Sequence, residues 1–281
     1  KYVVISHWHG DHNRGIFPIL EAFPDAEVVG HSFTRAAMLG APMQTIHKSE
    51  QSGEVKAIGD EVKQSLAQNK FIDGTPLKVG ERAFFERFIA DNVAHQTQVM
   101  RMRVTPPTKT FETELTIRLG RRVVELRHFG PANTKGDAVM ILPADRIVAA
   151  GDIVVEPIPY GFGSYPANWA KALKDIKAIG FKTLIPGHGA LQTDARYVDL
   201  LIEALESVTR QVDAAVADGK SLADITKLVD FSAVEPRFTK GYPILTRFFD
   251  MYLKEPIVPA AYNVAKGIEN EKLTEDPPKP N

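Results

Sequence analysis

Between positions 7 and 12 the chain reads His7-Trp8-His9-Gly10-Asp11-His12, so three of its eight histidines and one carboxylate fall in six consecutive residues. The run follows Tyr2-Val3-Val4-Ile5, an apolar stretch that reads as the end of a buried strand. Residues two apart at a strand end face the same side, so His7 and His9 point one way and Trp8 the other. Gly10 lets the chain fold back and bring Asp11 and His12 toward them. Four nitrogen and oxygen donors in one polar loop match what zinc, iron or manganese accept. The chain contains no cysteine, so a metal here must rest on histidine and oxygen ligands.

The rest of the chain reads as a mixed α/β protein. Ile16, Phe17 and Leu20 suit a short helix, and Ala26 to His31 a second strand, which together look like a βαβ step. From about residue 34 to 104, Lys, Glu, Gln and Ala dominate, and Phe84, Phe85, Phe88 and Ile89 form an apolar stripe. This is expected to be a helical insertion, divided at Asp73-Gly74-Thr75-Pro76. Strand patterns resume after Pro106-Pro107, with hairpins expected about Gly120-Arg121 and about Pro143-Ala144-Asp145. A glycine- and aromatic-rich loop, Pro159 to Pro166, precedes a helix expected from about Asn168 to Ile179 and a short strand, Thr183 to Ile185. Val198, Leu201, Ile202, Leu205, Val208, Val212 and Val216 then recur with a clear helical period. The boundaries amount to a single domain over 1–281, with a polar, proline-containing tail from Glu269 to Asn281 expected to be loose.

Three downstream segments carry further donors: Gly130-Pro131-Ala132-Asn133-Thr134, Ala149-Ala150-Gly151-Asp152 and Pro186-Gly187-His188-Gly189. In this order, and with HxHxDH directly after a buried strand, they resemble the metallo-β-lactamase superfamily. The resemblance implies a four-layer αββα sandwich. It also implies that His7, His9 and the second-motif position hold metal 1, and that Asp11, His12 and His188 hold metal 2, with Asp152 bridging. The chain departs from that pattern at Asn133, where the family usually has histidine. A neutral amide oxygen binds first-row metals more weakly than imidazole, so metal 1 is expected to be weak and metal 2 filled. The alternative for Asn133 is a turn residue whose amide bonds nearby backbone. Because the family's first sheet ordinarily begins upstream of HxHxDH, further strands are expected outside these 281 residues.

The activity the resemblance implies is that of a zinc hydrolase, with one or two ions, in which a metal-activated water cleaves an ester, lactone, thioester or lactam. Asp11 would orient the water and take a proton. Iron or manganese could take zinc's place. Tyr160 and Phe162 would form an apolar wall for a small-molecule substrate, with Tyr160 able to donate to an oxyanion. Their alternative is a packing cluster over the following helix. His31, His47 and His95 read as ordinary surface or helix residues, and His128 as a buried, hydrogen-bonded one. The interval from Asp152 to His188 is too short for the cap domain of nucleic-acid-processing members. Charge agrees, since 34 basic and 35 acidic residues give a net charge of -1 and leave little for phosphate binding. No apolar run is long enough to span a membrane. An exposed sheet edge would favour self-association, so a homo-oligomer is also expected. Two other functions fit the residues: a non-haem iron sulfur oxygenase on the same scaffold, which the loss of histidine at Asn133 disfavours, and a non-catalytic binding protein with a degenerate metal site. Cysteine-free chains occur in cytoplasm and periplasm alike, so the composition selects no compartment.

Overall fold

The computed structural model describes residues 1–44, 48, 52–99 and 103–273. Among these, β1 (Tyr2–Val4), β2 (Glu27–His31) and β3 (Lys109–Phe111) form a three-stranded parallel sheet with β2 in the centre. Val28 and Val29 on β2 are both fully buried, so this strand is covered on both faces, as parallel strands require. A five-stranded sheet holds β4 (Glu114–Leu119), β5 (Arg122–Arg127), β6 (Val139–Leu142), β7 (Ile147–Val155) and β8 (Thr183–His188), in that order. The first four strands are antiparallel neighbours, and β8 joins β7 in parallel after a helical crossover. Both expected hairpins are present, and Gly120 adopts the positive φ of 61° that the tight turn between β4 and β5 needs.

Three apolar layers hold the elements together. Val29, Phe111, Ile117 and Leu126 meet between the two sheets. Ile5, Ile16, Val28 and Met38 pack helices on the outer side of the first sheet. The largest layer joins the second sheet to the helices Pro166–Ala178, Arg196–Ala217 and Glu255–Ala265, with Trp169, Leu173, Ile176 and Leu201 essentially inaccessible. Helix, sheet, sheet, helix is the expected αββα sandwich. Its strand ends carry the histidine loop, Asp152 and His188 to one edge.

The insertion includes the helices Ser32–Leu39, Glu54–Ala67 and Glu81–Val99. The last two close on Val62, Leu66, Phe71 and Phe85, and this small cluster extends to Ile244 and Met251 near the C-terminus. The phenylalanine stripe is thus split: Phe85 is buried while Phe84 and Phe88 stay exposed. Arg247 fastens the junction. Its guanidinium lies 4.2 Å from the Phe71 ring centre, 3.2 Å from the buried Glu81 carboxylate and 3.0 Å from Asp73. His47 and the side chain of His95 lie outside the described residues.

The C-terminal third also contains a π-helix, Phe249–Lys254, between the helices Pro243–Phe248 and Glu255–Ala265. Residues 269–273 of the tail are tied down: Asn270 donates to the carbonyl of Ser164 at 2.6 Å, and Glu269 pairs with Lys135 at 2.5 Å. No helix of the described residues is long and apolar enough to cross a membrane.

Candidate metal centre

The histidine loop is held by its own neighbours. Asn13, fully buried, donates its amide to the carbonyls of Trp8 and His9 at 2.7 and 2.8 Å, which fixes the curve from strand into the short helix Gly10–Asn13. His7 and His9 turn their rings toward each other, 4.6 Å apart and edge-on. Ser6 Oγ lies 3.1 Å from His7 Nδ1, so His7 is steered by that nitrogen and presents Nε2. Trp8 packs against the Ile5 and Ile16 cluster, its ring 4.8 Å from that of His9, and donates to the Glu271 carboxylate at 2.6 Å. Glu271 also accepts from the backbone N–H of Lys135, and burial pushes its carboxyl up to about 7.

Two glycines let β7 and β8 close around Asp152. Gly151 has φ 55°, and a Cβ there would lie 2.6 Å from Ser6 Cβ. At Gly187 an added Cβ would come within 1.9 Å of Asp152 Oδ1, so any side chain would displace the carboxylate.

The resulting donors converge. His12 Nε2 is 3.3 Å from Asp11 Oδ2 and 3.2 Å from Asp152 Oδ1. His188 Nε2 is 3.0 Å from Asp11 Oδ2, 3.6 Å from Asp152 Oδ1 and 3.2 Å from His12 Nε2. Zinc with bonds near 2.05 Å in a tetrahedron separates its ligand atoms by about 3.3 Å, so these spacings are those of donors around one ion. The other Asp152 oxygen, Oδ2, lies 3.6 Å from His7 Nε2. His7, His9 and Asp152 form one candidate metal group among the described residues, and Asp11, His12 and His188 the other. Among the described residues His7 Nε2 and Asn133 Oδ1 are buried with no hydrogen-bond partner, a costly condition that a bound cation would relieve.

The electrostatics divide the same way. Burial, reinforced by the neighbouring imidazoles, pushes His7 well below its ordinary value, and burial lowers His9, so both keep free lone pairs. Burial pushes Asp11 up, but hydrogen bonds from His12 and His188 outweigh it and hold the carboxyl well below the usual range. His12 rises to about 10 against the opposing effect of burial, because Asp11 and Asp152 flank it. The Asp11 hydrogen bond raises His188.

Asn133 is buried and donates to the carbonyl of Tyr160 at 2.7 Å, across to the aromatic loop and not to its own turn. The Tyr160 ring stands 5.6 Å from that of His188, and Phe162 is half exposed. His128 is half-buried and bonds the Asp137 carbonyl at 2.8 Å, in keeping with the role expected of it. His31 departs from expectation. It ends β2 buried, accepts from the Phe33 N–H as the cap of the helix Ser32–Leu39, and packs 4.2 Å from the His128 ring. Sequence reasoning misses Asn13 and Glu271. Asn13 directly follows the motif and is readable as its cap, whereas nothing local marks Glu271.

A two-sheet sandwich that gathers histidine and carboxylate donors at one edge is an arrangement able to hold metal ions. The metallo-beta-lactamase superfamily profile matches residues 1–188, and the chain belongs to that superfamily, whose members are typically metal-dependent hydrolases. No curated protein matches the sequence. Solved structures share the fold at low identity. The stereoselective inverting sec-alkylsulfatase Pisa1 from Pseudomonas sp. is 13% identical with a TM-score of 0.56, covering 99% of this chain and 43% of its own. This chain therefore spans less than half of that enzyme. A metallo-beta-lactamase family protein from Thermus thermophilus is 16% identical with a TM-score of 0.50, over 95% of this chain and 75% of the other.

Proposed function

We propose that the chain is a zinc-dependent hydrolase acting on an ester, lactone or thioester, with a lactam less favoured. The observation that supports this most is the near-tetrahedral spacing of Asp11, His12, His188 and Asp152. These four would hold the stronger ion, and His7, His9, Asp152 and Asn133 the weaker one. When bound, zinc supplies a Lewis acid for the carbonyl and lowers the pKa of water to about 7. Asp11, about half exposed at the mouth of the cluster and kept ionised by its two histidines, would orient the water and take its proton. Tyr160 stays protonated, because burial pushes its hydroxyl up to about 12, and so can donate to an oxyanion next to His188. Asp152 within the donor set supports ester, lactone and thioester over lactam, following the branches of the superfamily that carry a carboxylate there.

The test is hydrolysis of a panel of acetate and decanoate nitrophenyl esters, an acyl lactone, an acyl thioester and a β-lactam after zinc loading. The likeness to an alkylsulfatase adds an alkyl sulfate to the panel. Zinc-dependent turnover of an ester, lactone or thioester that Asp11→Ala abolishes supports the reading. Turnover of none of them by a zinc-loaded chain overturns it.

A further inference from the structure

The Tyr160 loop does not end at the metal centre. Its Tyr160 ring meets Tyr252 at 5.3 Å, Tyr252 meets Phe248 at 5.3 Å, and Phe248 meets Phe84 of the insertion at 5.0 Å. Phe162 joins from the side, 6.1 Å from Tyr252. Beginning at His188, five aromatic side chains thus continue from the candidate catalytic edge to the helix Glu81–Val99.

Local backbone geometry builds this path. Tyr252 sits in the π-helix, whose wider turn alters the regular ladder and is often found at functional sites. The Tyr252 carbonyl accepts from the Gly161 N–H at 2.7 Å, which anchors the loop carrying Tyr160 and Phe162. Glycine suits that close approach, since a Cβ at Gly161 would lie 3.1 Å from Ile257. Two features distinguish the path from closed core packing. Phe84 and Phe162 remain 40% and 50% exposed, though burying such a ring is worth about 1.5–3 kcal/mol. Moreover, neither the Tyr160 nor the Tyr252 hydroxyl has a hydrogen-bond partner among the described residues, although both phenols are half-buried. A row of part-exposed rings, with two hydroxyls unpaired among the described residues at its metal-proximal end, fits a ligand with a polar head and a long apolar tail.

We infer that Tyr160, Tyr252, Phe248, Phe162 and Phe84 form a binding wall for the alkyl chain of the substrate, so that the chain acts on esters or thioesters of medium- to long-chain acyl groups. The inference rests on the hydrolase reading for its reaction but not for its binding site. The polar head lies by His188 and the two phenols, and the tail runs toward the insertion. The insertion is thereby given a role in specificity, by lengthening the wall.

Two measurements separate the wall from the chemistry. Calorimetry with decanoate and with acetate asks for binding without turnover. Decanoate is expected to bind and acetate not, with Tyr252→Ala and Phe84→Ala each weakening decanoate at least about tenfold. Tyr252→Phe, which keeps the ring, should retain most of that affinity. In turnover, kcat/KM of wild type should rise about two- to fourfold for each added methylene from acetate to decanoate esters. Phe84→Leu, chosen because it is mild for folding, should flatten that slope. Decanoate binding unaffected by both alanine substitutions, or a slope indifferent to Phe84, overturns the inference. Decanoate binding with no ester turned over leaves the wall standing and removes the hydrolase reading instead.

Discussion

The two faces of the candidate site are built on unequal foundations. The metal-ligating face springs from strand ends backed by the main core, where Trp169, Leu173 and Leu201 are fully enclosed and Gly151 and Gly187 allow no side chain at all. The aromatic face is mixed: Phe248 and Tyr252 pack against that same core, whereas its far end, Phe84, belongs to the insertion, whose own cluster of Val62, Leu66, Phe71 and Phe85 is small and is joined to the C-terminal helices by Ile244, Met251 and Arg247. Rigid placement suits ligands that must keep tenths of an ångström. A wall of rings needs only contact, so it can be supplied by an appended element.

The contrast can be broken most severely at Asp152. Asp152→Asn keeps shape but removes the charge shared between the two donor groups, and kcat/KM should fall by more than about 100-fold, beyond what loss of a supporting contact costs. Zinc content should fall with it, while thermal unfolding of the metal-free chain stays close to wild type. A loss of activity with full zinc content would show that Asp152 is not a ligand.

Stability should divide along the same line. Trp169→Ala should cost about 3–5 kcal/mol in denaturant unfolding, whereas Phe85→Ala, though also buried, should cost only about 2 kcal/mol, because the small cluster around it can partly collapse. Equal costs would contradict the division. Between them falls Arg247→Met, expected at about 3 kcal/mol because it leaves Glu81 charged and buried without its partner. Zinc content should be unchanged by it, and Glu81→Gln added to it should recover part of the loss.

The smallest effect is one of pH. Burial, aided by His128, lowers His31 from 6.5 to about 4, so the folded chain keeps it neutral, as its cap to the Phe33 N–H requires. The unfolded chain takes up this proton first as pH falls. Its contribution to stability is therefore complete above pH 6.5 and lost as pH falls through about 4. His31→Asn, which keeps a capping oxygen, should show a shallower decline in Tm between about pH 7 and pH 4 than wild type. Identical slopes would remove His31 from the account.

What can be read in the sequence follows the same inequality. His7, His9, Asp11 and His12 lie within six residues and local pattern marks them, whereas Asp152, inside β7, and His188, at the end of β8, are picked out by the resemblance of their segments to the superfamily's motifs. The hairpins and the long helix are legible from local pattern. Tyr252 is not, because a π-helix has no short-range signature and its partners Tyr160 and Phe162 are far away in the chain. Neither is Glu271, whose bond to Trp8 spans 263 positions and which sits in a segment whose composition reads as tail. His31 escapes local reading because its burial depends on Phe111 and His128 from later in the chain.

The most direct test of the central claim is zinc per chain, by elemental analysis after extensive dialysis, for wild type and Asn133→His in parallel. The account predicts about one zinc in wild type, held by Asp11, His12, His188 and Asp152, rising toward two when imidazole replaces the amide. Two tightly held zinc ions in wild type would contradict the weak first site, and none in either protein would contradict the metal centre itself.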